Sequence, residues 1–148
     1  MTQIFTIGFT RKTAQAFFEL LAKNRVTVVV DVRLRPDSQL AGFAKARDLA
    51  YFLRAINICD YVHKLEFAPT AAMLDAYRAD KDWAAYTRAF TALLDERAIM
   101  AALDRAWWDA NRACLLCSEH EPDQCHRRLV AEHIAAAWGN VEVVHLMK

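Results

Sequence analysis

The sequence predicts a single α/β domain built on a mostly parallel sheet of about five strands, with helices on both faces. Three observations carry this. Short apolar runs without strict alternation, at residues 4–7, 26–30 and 113–117, suit strands buried on both faces. Apolar residues at helical spacing fill the segments between them. Strands alternating with helices imply crossover connections and hence parallel pairing. The chain has 148 residues, which fits one domain, and it shows no internal repeat, linker or low-complexity stretch.

Residues 4–7 form the first expected strand, closed by Gly8 at a tight turn. Ala14, Phe17, Phe18 and Leu21 follow helical spacing, and Asn24 supplies a stop. The β-branched run 26–30 is expected to be an interior strand ending in Asp31-Val32-Arg33, and residues 34–44, with Pro36, Ser38 and Gly42, read as a loop. Leu49, Phe52, Leu53 and Ile56 mark a second helix, and a weak strand follows near residues 60–63. Helical patterns resume at Thr70, with Met73, Leu74 and Tyr77 on one face. A longer one runs through Tyr86, Phe90, Leu93 and Leu94 and on through Ile99, Leu103, Ala106 and Trp107. Ala113–Cys117 is the fourth strand, 126–138 the last helix, stopped by Gly139-Asn140, and 141–146 the last strand.

In open α/β sheets, ligands sit beyond the carboxyl ends of the strands. Here those ends collect polar residues: Gly8 through Arg11, then Asp31 and Arg33 with Arg35 beyond, then His63, then Cys117 and Glu119. Residues two apart on an extended chain point the same way, so Asp31 is expected to pair with Arg33, and Cys117 to share a face with Glu119. The alternative for Asp31 and Arg33 is an ion pair that only stabilises a loop.

The turn into the last helix is the strongest single feature. Pro122 or Asp123 is expected to start it, which places Cys125, His126, Arg127 and Arg128 in its first turns. Cations there oppose the helix dipole by about 0.3–1 kcal/mol each, so either Glu119 and Glu121 or a bound anion must compensate. Free N–H groups with Arg and His make a phosphate or carboxylate cradle. A closed network of Glu and Arg side chains is the competing reading.

The four cysteines admit three readings. Cys125, beside His126 at a helix start, is a candidate nucleophile with a lowered pKa. Cys117, Cys125 and His126 or His120 have the right ligand types for a metal, although their spacing is not that of a standard finger. Cys59 and Cys114 are expected to be core residues. Cys114 and Cys117 have CxxC spacing, but on a strand their thiols face opposite sides of the sheet and cannot chelate together. Of Trp107 and Trp108, only one can face inward.

Composition and absences narrow the function. Nineteen Lys and Arg against 18 Asp and Glu leave a net charge of +1, with no global drive toward nucleic acid or membrane. No signal-peptide pattern opens the chain and no apolar run reaches membrane-spanning length, so a cytoplasmic location is expected. There is no P-loop, GxGxxG or GxSxG motif, and no cofactor is named by the sequence. The leading expectation is a site for a small anionic, phosphate- or nucleotide-like ligand. Arg33, Arg35 and Arg127 would hold the anion, Glu119 or Asp31 would act as base, and His126 as acid or orienter. The rival readings are a nucleic-acid-binding accessory domain that uses its arginines on phosphates and a structural metal-binding domain.

Thr6-Ile7-Gly8, Asp31-Val32-Arg33 with Pro36 and Ser38, Gly42-Phe43, and Cys117-x-Glu119 followed by Cys125-His126-Arg127 resemble the family called domain of unknown function 488. The resemblance spans essentially the whole chain, with the motifs in the family's order. It implies a small α/β fold in a prokaryotic cytosolic protein and singles out Gly8, Asp31, Arg33, Pro36, Ser38, Cys117, Glu119, Cys125, His126 and Arg127. It implies no particular activity. The chain departs from the family pattern after Tyr61-Val62-His63, where Leu65-Glu66-Phe67 stands in place of a Leu-Gly-Gly turn.

Overall fold

The structure, a computed structural model, describes residues 1–37 and 41–147. Five parallel strands form one sheet in the order β3-β2-β4-β1-β5. They are β1 (Thr2–Gly8), β2 (Val28–Asp31), β3 (Asp60–His63), β4 (Ala113–Cys117) and β5 (Val141–Leu146). The helices are α1 (Ala14–Lys23), α2 (Ala46–Phe52), α3 (Ala71–Asp80), α4 (Trp83–Glu96), α5 (Ile99–Ala102), α6 (Arg105–Ala110) and α7 (His126–Trp138). No described helix is long and apolar enough to cross a membrane.

The alternation of side chains along each strand divides the core into two. On one face, Phe5, Ile7, Val29, Cys114 and Leu116 pack against Phe17 and Leu21 of α1 and Leu49 of α2. On the other, Ile4, Val28, Val30, Leu115 and Cys117 pack against Tyr86 and Phe90 of α4, Trp108 of α6, and Leu129 and Ile134 of α7. Cys114 and Cys117 therefore do lie on opposite faces of the sheet. Trp108 is the inward member of its pair, at 2% exposure against 36% for Trp107.

The chain leaves β1 for the α1 face and leaves β4 for the α7 face. Adjacent strands whose exits diverge in this way open a crevice at their carboxyl ends. Gly8 stands opposite Cys117 across it, and on the far side of β4 Asp31 stands opposite Leu116.

Three sequence expectations are corrected. Strand β2 begins at Val28 rather than Val26, because Arg25 takes a left-handed conformation (φ 55°) that turns the chain before the ladder starts. The long helical pattern after Tyr86 is three helices, broken at Ala98 (φ 51°) and capped afresh by Asp104, whose carboxylate accepts from the Ala106 N–H. Helix α7 starts at His126, not at Pro122 or Asp123. Residues 122–125 close a separate turn through the Cys125 N–H and the Pro122 carbonyl (3.2 Å), and Cys125 at the N-cap is extended.

Candidate functional site

Two buried arginines build the crevice. Arg127 is fully buried. Its Nε donates to Thr6 Oγ1 (3.3 Å), its Nη1 to the Glu119 carbonyl (2.5 Å) and its Nη2 to the His120 carbonyl (3.2 Å). The cation at the start of α7 is thus met by main-chain oxygens of the loop after β4, not by the carboxylates of Glu119 and Glu121. Gly8 makes room for this arrangement: a Cβ there would lie 1.6 Å from the Glu119 carbonyl oxygen.

Arg33, at 3% exposure, forks onto the fully buried Asp31. Its Nε donates to Oδ1 (2.9 Å) and its Nη2 to Oδ2 (2.7 Å), while its own backbone N–H donates to Oδ1 (3.1 Å). The Tyr61 hydroxyl adds a fourth donor to Oδ2 (2.6 Å). Burial first, and then this bond to a carboxylate, push the Tyr61 pKa up. The Arg33 guanidinium lies over the Phe9 ring at 5.3 Å, and its Nη1 is buried with no partner among the described residues.

A cavity of about 470 Å³ opens beside Arg33. Arg33, Arg35, Arg78 and Lys81 put four cations on its lining, against one carboxylate, Glu119. Tyr77, Trp83 and Tyr86 form an aromatic wall in which Trp83 and Tyr86 stack at 5.2 Å. Cys117, Cys125 and His126 also line it, and all three are buried.

In that buried group, His126 Nε2 donates to the Val32 carbonyl (2.6 Å), since a carbonyl can only accept. Cys117 Sγ lies 3.6 Å from His126 Nδ1 and 3.9 Å from Nε2. The hydrogen bond from Cys125 holds the Cys117 pKa down, against burial, with His126 and Arg127 adding positive charge. Burial and the neighbouring Cys117 push Cys125 up. This corrects the expectation of a lowered pKa at Cys125: burial outweighs its place at a helix start. Burial lowers the His126 pKa, but the Cys117 charge and the Val32 carbonyl outweigh it and the net direction is up. One ligand atom from each of Cys117, Cys125 and His126 lies within 4.8 Å of the others, so the three could hold a metal ion.

The structure thus brings Arg33, Arg35, Cys117, Glu119, Cys125 and His126 to one cavity, and leaves Gly8, Asp31 and Arg127 off its lining. Asp31 stands behind the wall with its carboxylate already taking four donors. Ser38 lies outside the described residues. Arg78, Lys81 and the aromatic wall were not foreseen as site residues. Met73, Leu74 and Tyr77 marked the inner face of α3, and Arg78, next to Tyr77, was the available signal. At the departure from the family pattern, Leu65–Phe67 forms a short 3-10 turn with Phe67 buried in the core. Arg97 Nη1 clamps that turn through the carbonyls of Glu66 (2.8 Å) and Ala68 (2.6 Å).

The family profile described as Domain of unknown function DUF488 matches residues 13–134. The chain belongs to this family. Within the matched span lie both buried arginines and every residue that lines the cavity, while β1 with Gly8 and the final strand fall outside it. Neither the curated proteins nor the solved structures compared with this DUF488 chain gave a match.

Proposed function

We propose that the cavity binds a small anionic ligand of phosphate- or nucleotide-like chemistry. The observation that carries this reading is the charge of the lining, where Arg33, Arg35, Arg78 and Lys81 stand against the single carboxylate Glu119. Arg33 also keeps a buried nitrogen, Nη1, without a partner among the described residues, where buried polar groups are satisfied in the great majority of cases. Arg35, Arg78 and Lys81 extend the positive field around the mouth, and a cleft lined by one sign of charge concentrates ligands of the other. The wall of Tyr77, Trp83 and Tyr86 offers a stacking surface for a planar base. Glu119, the lone carboxylate of the lining, is the group placed to take a proton from whatever is bound.

The test is calorimetric titration of the protein with inorganic phosphate, a nucleoside monophosphate and a short DNA duplex. The Arg78→Ala/Lys81→Ala double variant, at two exposed positions, runs alongside. The expected result is mononucleotide binding that the double variant weakens about tenfold, equivalent to ~1.4 kcal/mol. Absence of binding by phosphate and nucleotide alike, or binding indifferent to the double variant, refutes the reading. Duplex binding with a steep salt dependence and no mononucleotide binding would instead assign the basic rim to nucleic acid.

A further inference from the structure

The group Cys117, Cys125 and His126 has a geometry that the anion reading does not use. We infer that these residues form a zinc-class metal site with three protein ligands, whose fourth position faces the cavity. The inference does not rest on anion binding, and its test contains no phosphate.

The first support is distance. A tetrahedral zinc ion with a sulfur at ~2.3 Å and a nitrogen at ~2.05 Å places those two ligand atoms ~3.6 Å apart. Cys117 Sγ and His126 Nδ1 stand 3.6 Å apart. All three ligand atoms lie within 4.8 Å of one another, against a sulfur–sulfur edge of ~3.8 Å in such a site; the Cys117 sulfur, 3.9 Å from Nε2 as well, has to move outward from the ring to meet an ion bound at Nδ1.

The second support is the orientation of the histidine. Metal-bound imidazoles characteristically donate their other ring N–H to a carbonyl or carboxylate, which fixes the tautomer. His126 does this already: Nε2 is committed to the Val32 carbonyl at 2.6 Å, leaving Nδ1 as the unprotonated nitrogen open to a metal. Val32 is itself tied to the sheet end through its N–H and the Leu116 carbonyl (3.1 Å). The imidazole is therefore oriented by main chain at the carboxyl end of β2, before any ion arrives.

Charge and access complete the argument. A cation at the start of α7 would by itself oppose the helix dipole, but two thiolates neutralise a divalent ion. Binding releases the two thiol protons to solvent, and no redox step is involved. The residue types also select the metal, because two thiolates and an imidazole favour zinc over magnesium or calcium. All three ligands line the cavity, so the remaining coordination position opens there. Three protein ligands with an open fourth is the arrangement of catalytic rather than structural zinc.

The experiment is titration of the untagged full chain with Co²⁺ in metal-free buffer, followed by displacement with Zn²⁺. The expected result is one equivalent of Co²⁺ giving tetrahedral d–d bands and a thiolate-to-cobalt charge-transfer band, both abolished by one equivalent of Zn²⁺. Cys117→Ser and Cys125→Ser should each weaken binding by more than about tenfold, at least the effect of losing an outer-shell partner. Cys114→Ser, on the opposite face of the sheet, should bind as wild type does. A wild-type chain that gives no thiolate-to-cobalt band overturns the inference whether or not any variant folds. So does a band that survives unchanged in Cys117→Ser.

Discussion

Gly8→Ala tests the packing that holds the site together. Gly8 ends β1 opposite Cys117, and a methyl group there would sit 1.6 Å from the Glu119 carbonyl oxygen and 3.0 Å from Arg127 Nη1. An ordinary carbon–oxygen contact is ~3.3 Å, so the loop after β4 would have to retreat by roughly 1.7 Å. The same oxygen accepts from Arg127 Nη1 at 2.5 Å, and that bond opens as the loop moves. Overpacking costs about 1–3 kcal/mol, and a hydrogen bond to a charged group contributes about 1.5–3 kcal/mol. The expected loss is then near ~4 kcal/mol, which for a domain of this size lowers Tm by about 12 °C. Gly42→Ala is the control, since a Cβ at Gly42 meets nothing within 4 Å. Thermal melts of the three proteins by circular dichroism decide the matter. A Gly8→Ala protein melting within about 3 °C of wild type, a drop worth only ~1 kcal/mol, would show that the loop can swing aside freely and that Gly8 does not set its position.

Two further outcomes follow from the buried polar groups. Arg127→Met should lower stability by about 2–3 kcal/mol without any ligand, by stranding the oxygens it satisfies, while leaving phosphate affinity within about twofold of wild type. Urea melts and phosphate titrations check both halves, and unchanged stability with lost affinity would return Arg127 to the ligand. The second outcome concerns pH. Thr6 Oγ1 accepts from Arg127 Nε and lies 2.6 Å from His145 Nδ1, so the hydroxyl donates to a neutral imidazole. Burial, and then the Arg127 charge, lower the His145 pKa. Its contribution to stability is therefore complete above the unfolded value of about 6.5. It is lost as pH falls from there toward the folded pKa, because the unfolded chain takes up a proton that the fold resists. His145→Gln should lose less stability than wild type between pH 7.5 and pH 5.5 in urea melts, and equal losses would refute the assignment.

The sheet was legible because its strands are apolar runs too short and too β-branched to be helices, and β3, β4 and β5 have the bounds their sequence patterns suggest. The breaks were less legible. Ala98 and Arg25 adopt left-handed backbone without the glycine or asparagine that would have announced it, because tertiary packing supplies what local propensity does not. The Asp31–Arg33 pair could be read from the alternation of an extended chain. The roles of Arg127 and Cys125 could not. Whether an arginine at a helix start meets a ligand or a carbonyl depends on where the preceding loop lies, and Gly8, more than a hundred residues away, governs that loop.

The two arginines that the sequence placed together as anion ligands therefore differ in kind. Each of the three nitrogens of Arg127 has an oxygen, so it is a brace whose charge is spent on the fold. Arg33 gives two nitrogens to Asp31 and keeps one that is buried without a partner among the described residues. A carboxylate alone would neutralise Arg33; what Asp31 also does is fix its orientation, since the fork accepts one rotamer and the Phe9 ring supports one side of it. Replacing such a pair by apolar residues would often stabilise a core. Its retention at a strand end is better explained by the fixed position it gives a cation on the cavity lining. The same logic governs His126, where the Val32 carbonyl holds Nε2 and leaves Nδ1 as the unprotonated nitrogen. In both cases a main-chain or carboxylate oxygen at the end of β2 consumes part of a side chain's bonding capacity and fixes a residue of the cavity lining in place.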